Sequence, residues 1–243
     1  HAVASRGSVG GIAFTQAEIN SADLRDAVYA ARGRTETDAG RAIRMLQATP
    51  LAPSFGAMFA DLAGSGPVSA EIAMYLPIKT FDRRVVTVMA NLDGVTLRHR
   101  QKPFEATEIA GDLWVRNREI HAPALSGRAL GGRWQAAIET TTNPDRNLRT
   151  RVTAQGSVQG SALQPIARLP QNAGLAGSTS WRGVLDVERN ADPKQPARGT
   201  LRLSSDLRGL ASKLPEPFGK TADTSRLLTL TANFDGKSGP RIE

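Results

Sequence analysis

Between residues 85 and 140, apolar and polar side chains alternate with a period of two. The alternation is punctuated by turn-forming pairs at Asp93-Gly94, Lys102-Pro103, Asn117-Arg118 and Gly131-Gly132. This pattern predicts an antiparallel meander of half-buried strands. Within 109–116, Ile109, Gly111, Leu113 and Val115 point one way, while Ala110, Asp112, Trp114 and Arg116 point the other. Within 134–140, Trp134, Ala136, Ile138 and Thr140 share a face opposite Gln135, Ala137 and Glu139. One greasy face and one wet face are what a one-sided sheet needs.

The same period continues on both sides of this stretch. Strands are expected at 9–14 and 24–31 around a turn near Gln16-Ala17. Another is expected at 68–76, with Ala70, Ile72, Met74 and Leu76 on one face. Later strands fall at 148–154, at 181–188 with Trp181, Gly183, Leu185 and Val187 aligned, at 199–206, and at 226–234 with Leu228, Leu230, Ala232 and Phe234 alternating. Residues 174–177, 190–196 and 207–220 read as loops. The pattern changes at 41–47, where Ala42, Ile43, Met45 and Leu46 suit a helix that Thr49-Pro50 stops. A second short helix can start at Pro53-Ser54, with Phe55, Met58, Phe59 and Leu62 at helical spacing, ended by Gly64-Ser65-Gly66-Pro67. Residues 162–169 are helical or a crossing segment closed by Pro170. Helices this short beside a sheet cover an end or an edge. A weak internal repeat relates the run from Gly11 to the run from Gly111, pairing Phe14 with Trp114, Ile19 with Ile120 and Leu24 with Leu125. A spacing of about 100 residues is too long for a short solenoid repeat and fits a reused multi-strand unit.

Charge and composition narrow the chemistry. A net charge of +8 and a pI near 10.5 favour anionic partners such as phosphate groups, nucleic acid or acidic lipid headgroups. The arginines are scattered, however, and the clearest cluster, Arg146, Arg149 and Arg151, is too small for a nucleic-acid footprint. With no cysteine, disulfides, thiolate metal sites and cysteine nucleophiles are excluded. His1, His99 and His121 have no metal-ligand spacing. Ser126-Gly127 and Ser205-Asp206 lack a nucleophile-elbow context, and Gly7-Ser8-Val9-Gly10-Gly11 lacks the Lys-Ser/Thr of a phosphate-binding loop. Glu105 and Glu108 stand in a turn beside basic residues. No enzyme, cofactor or metal is expected. No run approaches a membrane-spanning length. The first residue is His rather than Met, and a segment of a longer protein is expected.

The run from Ser204 to Leu230 resembles a segment of the YhdP branch of the AsmA-like proteins. Ser204, Leu207, Gly209, Leu210, Leu214, Pro215, Pro217, Gly219 and Lys220 carry the match. The Trp181-Arg182-Gly183 strand start, the Gly127–Gly132 hairpin and the stretch 46–51 before Ser65-Gly66-Pro67 look similar too. The resemblance implies a mostly β fold: an elongated, twisted antiparallel β-groove, a taco-like sheet of repeated multi-strand units with a few short helices. On this view residues 1–47 end one unit, 48–67 connect, and 68–160 and 161–243 are further units of one groove. The implied function is non-enzymatic transfer of phospholipid acyl chains through the periplasm from inner to outer membrane. The implied tether is an N-terminal inner-membrane helix lying outside this segment, so contact with either membrane would be made by other parts of the protein. No nucleic-acid partner is implied.

Acyl chains could cover an apolar face at roughly 0.8 kcal/mol per methylene, with headgroups at the wet mouth where arginines meet phosphates. The expected lining is Val86, Val88, Leu113, Val115, Ile138, Leu185, Val187, Leu201, Leu203, Leu228 and Leu230. The alternation by itself is equally met by ordinary core packing. A self-packed structural or interaction β module without lipid cargo therefore stands as the alternative. Nucleic-acid binding, which rests on charge alone, is a third.

Overall fold

The computed structural model describes residues 2–4, 7–9, 12–21, 28–48, 61–77, 79–80, 83–101, 104–145, 147–166, 174–192, 195–216, 218–235 and 241–242. The chain opens with β1 (Ala2–Ala4), β2 (Gly7–Val9), β3 (Ile12–Ser21) and β4 (Val28–Asp38), then α1 (Ala39–Ala48). Next come β5 (Leu62–Ser65), β6 (Pro67–Pro77), β7 (Val85–His99), β8 (Glu105–Arg116), β9 (Glu119–Ala129), β10 (Gly132–Thr142) and β11 (Leu148–Gln159). After α2 (Gly160–Ile166) follow β12 (Ala176–Arg189), β13 (Arg198–Ser205), β14 (Leu210–Ala211), β15 (Leu228–Phe234) and β16 (Arg241–Ile242). The strands form one antiparallel sheet in the order β1-β3-β4-β6-β7-β8-β9-β10-β11-β12-β13-β15-β16, with β2, β5 and β14 on side branches. The protein is mostly β, as the alternation predicts. Among the described residues, ten of the fifteen ladders join strands consecutive in the chain, and the other five skip a single strand.

The two ends of the strands differ. At the short-turn end, tight connections such as Asn117-Arg118 join neighbours. At the helix end sit α1, β5, α2 and the 206–227 loop. Asp38 caps α1: its carboxylate accepts from Gly40 N at 2.8 Å and from Gly66 N at 2.9 Å, which ties the helix start to the β5–β6 corner. Ala39, Gly40 and Ile43 of α1 are buried, while Arg41 and Arg44 are exposed. Ala39, Val68, Val95, Ala106 and Ile109 form a buried cluster there, with Ala90, Leu92, Leu97, Ala129 and Trp134 packed on it.

That cluster is small for the chain. The accessible surface is 15611 Å², whereas a compact monomer of 25.9 kDa exposes about 10,500 Å². The largest fully buried side chains among the described residues are Val95 and Thr35. A single sheet whose apolar face has no second layer among the described residues accounts for both observations.

The structure departs from the sequence expectations at several places. Asp93-Gly94 is not a turn: β7 runs through it to His99. Gly94, at φ +71°, instead marks a bulge where the pairing with β8 shifts between Leu92 and Val95. Nor is there a turn at Gln16-Ala17, which lie inside β3. The first copy of the internal repeat is therefore a continuous strand where the second, around Asn117-Arg118, is a hairpin, and the two are not structural equivalents. Of the second expected helix, 53–60 lies outside the described residues and Leu62 begins β5. Lys102-Pro103, Arg146, Pro217 and the start of the expected 24–31 strand also lie outside them. The 174–177 loop already contributes Ala176 and Gly177 to β12, which pair with β14 inside the 207–220 loop.

Candidate functional site

Cross-strand partners share a face, so the ladders show directly which residues lie together. One row reads Ile138, Val152, Leu185, Leu201, Ala232 across β10 to β15. The next, toward the helix end, reads Ala136, Ala154, Gly183, Leu203, Leu230. Beyond it, Trp134 pairs with Gly156 and Gly156 with Trp181, and Leu228 pairs with Ser205. In the N-terminal half of the sheet, on the same face, Met74 pairs with Val86, Ile72 with Val88, Val88 with Val115, and Ala90 with Leu113. Val115 pairs with Ile120, and Ile138 with Ala122, which joins the two halves. Val187 sits between Thr150 and Gly199, and Gly199 faces Phe234.

All eleven residues expected as lining thus lie on one continuous face. Most of them are half-buried; Val187 is buried and Leu228 is nearly half exposed. The sequence reading left out Val152, Ile72, Met74, Ile120 and the two tryptophans, although each stands at the same period-two phase. The face is smoothed by aromatic rings laid over glycines. A Cβ at Gly127 would come within 2.8 Å of the Trp134 ring, and one at Gly199 within 2.1 Å of the Phe234 ring.

The opposite face is built from polar pairs. Asp186 receives Arg151 at 2.9 and 3.2 Å, with Arg149 at 3.4 Å and Arg202 at 3.9 Å. Hydrogen bonding from Arg151 is the main reason that the Asp186 carboxyl is held below its ordinary range, with the nearby arginine charges adding to it. Arg34 pairs with Glu71 and Asn91 with Asp112. This wet face also carries exposed apolar side chains: Tyr75, Met89 and Trp114 are 47%, 44% and 40% exposed, with Met89 directly across from Trp114.

The curl of the sheet follows from the short-turn end. Arg118, in the β8–β9 turn, donates to Asn190 O at 2.9 Å and Ala191 O at 3.1 Å, just past β12. Arg189 Nη2 donates back to Arg118 O at 2.9 Å and to Thr150 Oγ1 at 3.0 Å. In a flat sheet β9 and β12 are three ladder spacings apart, about 14 Å, and an arginine reaches roughly 7 Å from its Cα. The contacts therefore require the sheet to bend. Arg189 follows Val187 by two residues and shares its face with Thr150, so the bend closes over the apolar face. Here the apolar face is the inside of the curl.

At this end the inside carries buried hydroxyl groups next to the two arginines. Thr140 and Thr150 are buried with hydroxyls 3.0 Å apart, and Ile120 N donates to Thr140 Oγ1 at 3.1 Å. Arg189 and Arg118 were not expected as site residues. The available signal was an arginine standing at an apolar phase of the β12 alternation. His121 pairs with Trp114 on the outer face, and His99 Nδ1 accepts from Gln101 N. No group of His, Cys, Asp or Glu that could hold a metal occurs among the described residues, and no helix there is long and apolar enough to cross a membrane.

The family profile described as YhdP protein matches residues 1–242. The chain is similar to the intermembrane phospholipid transporter YhdP of Escherichia coli (strain K12), at 24% identity over 193 residues. That alignment takes in 77% of this chain and 14% of the relative, so the chain spans a small part of the relative's length. No solved structure matches it.

Proposed function

The chain belongs to the YhdP family, and from that premise we propose that it is a stretch of a periplasmic groove that carries phospholipid acyl chains between membranes. The reading is non-enzymatic. Acyl chains lie against the inner face along rows such as Ile138, Val152, Leu185 and Leu201, and headgroups stay toward water. Residues 68–160 and 161–243 serve as successive multi-strand units of one groove. Parts of the protein beyond this segment, including an inner-membrane tether, make the membrane contacts.

The observation that supports this most is a continuous apolar face, turned to the inside of a curled sheet and covered by no second layer among the described residues. A self-packed module would bury such a face. Left in water, each methylene on it forgoes about 0.8 kcal/mol that a hydrocarbon chain could recover. Native mass spectrometry with lipid extraction, on protein purified gently from a Gram-negative host, tests the reading. Phospholipid recovered in stoichiometric amount is expected. A folded, lipid-free monomer that ignores apolar dyes would favour the self-packed module instead.

A further inference from the structure

The short-turn end places two guanidinium groups at the border of the apolar face. Arg189 is half-buried on the inner face, and burial first, then the charge of Arg118, makes it less basic than an ordinary arginine. Two of the five N–H donors of Arg118 go to the carbonyls of Asn190 and Ala191, while its Nε–H is buried with no acceptor in the protein. Carboxylates are nearby but differently placed. Glu119 and Glu188 lie on the outer phase of their strands, paired in register with Arg116 and Arg149, and the Glu119 carboxylate is taken up by Thr142, whose hydroxyl donates to it at 2.7 Å. Asp145 and Asp192 stand in the turns beyond the strand ends.

Adjacent like charges at the edge of an apolar surface are costly unless an anion joins them. A buried guanidinium N–H without an acceptor is a second cost that an anionic oxygen would relieve. Arginine pairs suit phosphate oxygens in particular, because the planar fork donates in parallel. Beside them, the hydroxyls of Thr140 and Thr150 continue the polar border toward the floor of Ile138, Val152 and Leu185. The arrangement is amphipathic across a few residues: cationic and hydroxylic at the rim, then hydrocarbon.

We propose that Arg118 and Arg189 form a phosphate subsite on the inner face at the short-turn end. It takes the phosphodiester of an amphiphile whose chains run along the apolar floor. The proposal rests on the acyl-chain reading above and adds an orientation to it: headgroup to the short turns, tails toward the tryptophans and helices.

The test titrates the purified protein with short-chain phosphatidylglycerol, with diacylglycerol of the same chain length, and with inorganic phosphate. Phosphatidylglycerol should bind more tightly and weaken with added salt, while diacylglycerol should be indifferent to salt. The double variant Arg118→Gln with Arg189→Gln should weaken phosphatidylglycerol on the order of tenfold to a hundredfold and leave diacylglycerol unchanged. Arg189→Lys, which keeps the charge, should lose less. That variant and the salt series keep the test decisive if removing both arginines loosens the fold. Equal binding of both lipids, salt-independent in the wild type or unchanged in the variants, would overturn the subsite and leave the groove intact. Failure of either lipid to bind would overturn the groove reading itself, and the subsite with it. Inorganic phosphate binding as tightly as the phospholipid would overturn the amphiphile assignment in favour of a free-anion site.

Discussion

The two ends of the strands solve the same problem with different chemistry. At the helix end the inner face is covered by the chain itself: α1 seats Ala39 beside Val68, Val95 and Ile109 and lays Ile43 over Gly64, and the 206–227 loop folds back so that β14 pairs with β12. At the short-turn end there is little chain to spare. Closure there comes from side chains, with Arg118 and Arg189 bridging from the β8–β9 turn to the residues after β12. Between the two ends lies a floor that neither covers. The difference teaches where apolar burial in this protein is complete and where it waits for something else.

The strongest way to break the comparison is to charge the floor. Leu185→Glu or Leu203→Glu puts a carboxylate amid half-buried apolar rows. If an acyl chain loses contact with about four methylenes, the loss is about 3 kcal/mol, or more than a hundredfold in affinity. Lipid recovered with the protein should fall accordingly while circular dichroism stays that of a β protein. Unchanged lipid recovery from a folded variant would break the floor.

A smaller effect is expected at Lys220, whose ammonium donates to the carbonyls of Leu207, Leu210 and Thr221. Lys220→Met leaves these carbonyls without that donor, at a cost of about 1–3 kcal/mol. Hydrogen exchange should lose protection across 207–222 and leave the 138–152 ladder as it was. Loss of protection at both places would mean that the helix end supports the whole sheet rather than its own cover.

Asp38→Ala removes one acceptor from two backbone donors, Gly40 N and Gly66 N. Loss of such a cap costs about 1 kcal/mol, or roughly 2–4 °C in Tm for a chain of this size. An unchanged Tm would show that α1 is held by packing alone.

The smallest effect belongs to the outer face. The Asp186 carboxyl is held low by Arg151 and its neighbours. The stability it contributes is therefore present above the ordinary carboxylate pKa of about 3.9 and is lost as pH falls through its depressed folded value. The Tm gap between wild type and Asp186→Asn should be full near neutral pH and close in acid. High salt should narrow it, because the arginines are about half exposed.

The floor was legible in the sequence because a strand's side chains obey a period of two, and Leu113, Ile138, Leu185 and Leu203 stand in phase. Continuity from strand to strand was not legible, since it depends on register. The bulges at Gly94 and between Ala136 and Ile138 keep the phases matched across ladders, and a glycine or alanine in a strand pattern does not say whether it turns, bulges or simply continues. Asp93-Gly94 was misread for that reason. The Arg118–Arg189 bridge was hidden more deeply. It joins residues 71 apart in the chain and exists only because the sheet curls, a property carried by many small rotations between strands rather than by any one motif. The exposed Tyr75, Met89 and Trp114 patch was likewise averaged away when the outer face was read as wet.

The most direct test of the central claim uses two neighbouring positions on opposite faces. Leu203 points to the inner face in the row of Leu230, and Arg202 to the outer face beside Asp186. A photoreactive phenylalanine analogue placed at each in turn, irradiated in cells, should capture phospholipid from position 203 and not from position 202. Equal capture from both positions, or capture from 202 alone, would contradict an inner apolar face that holds the acyl chains.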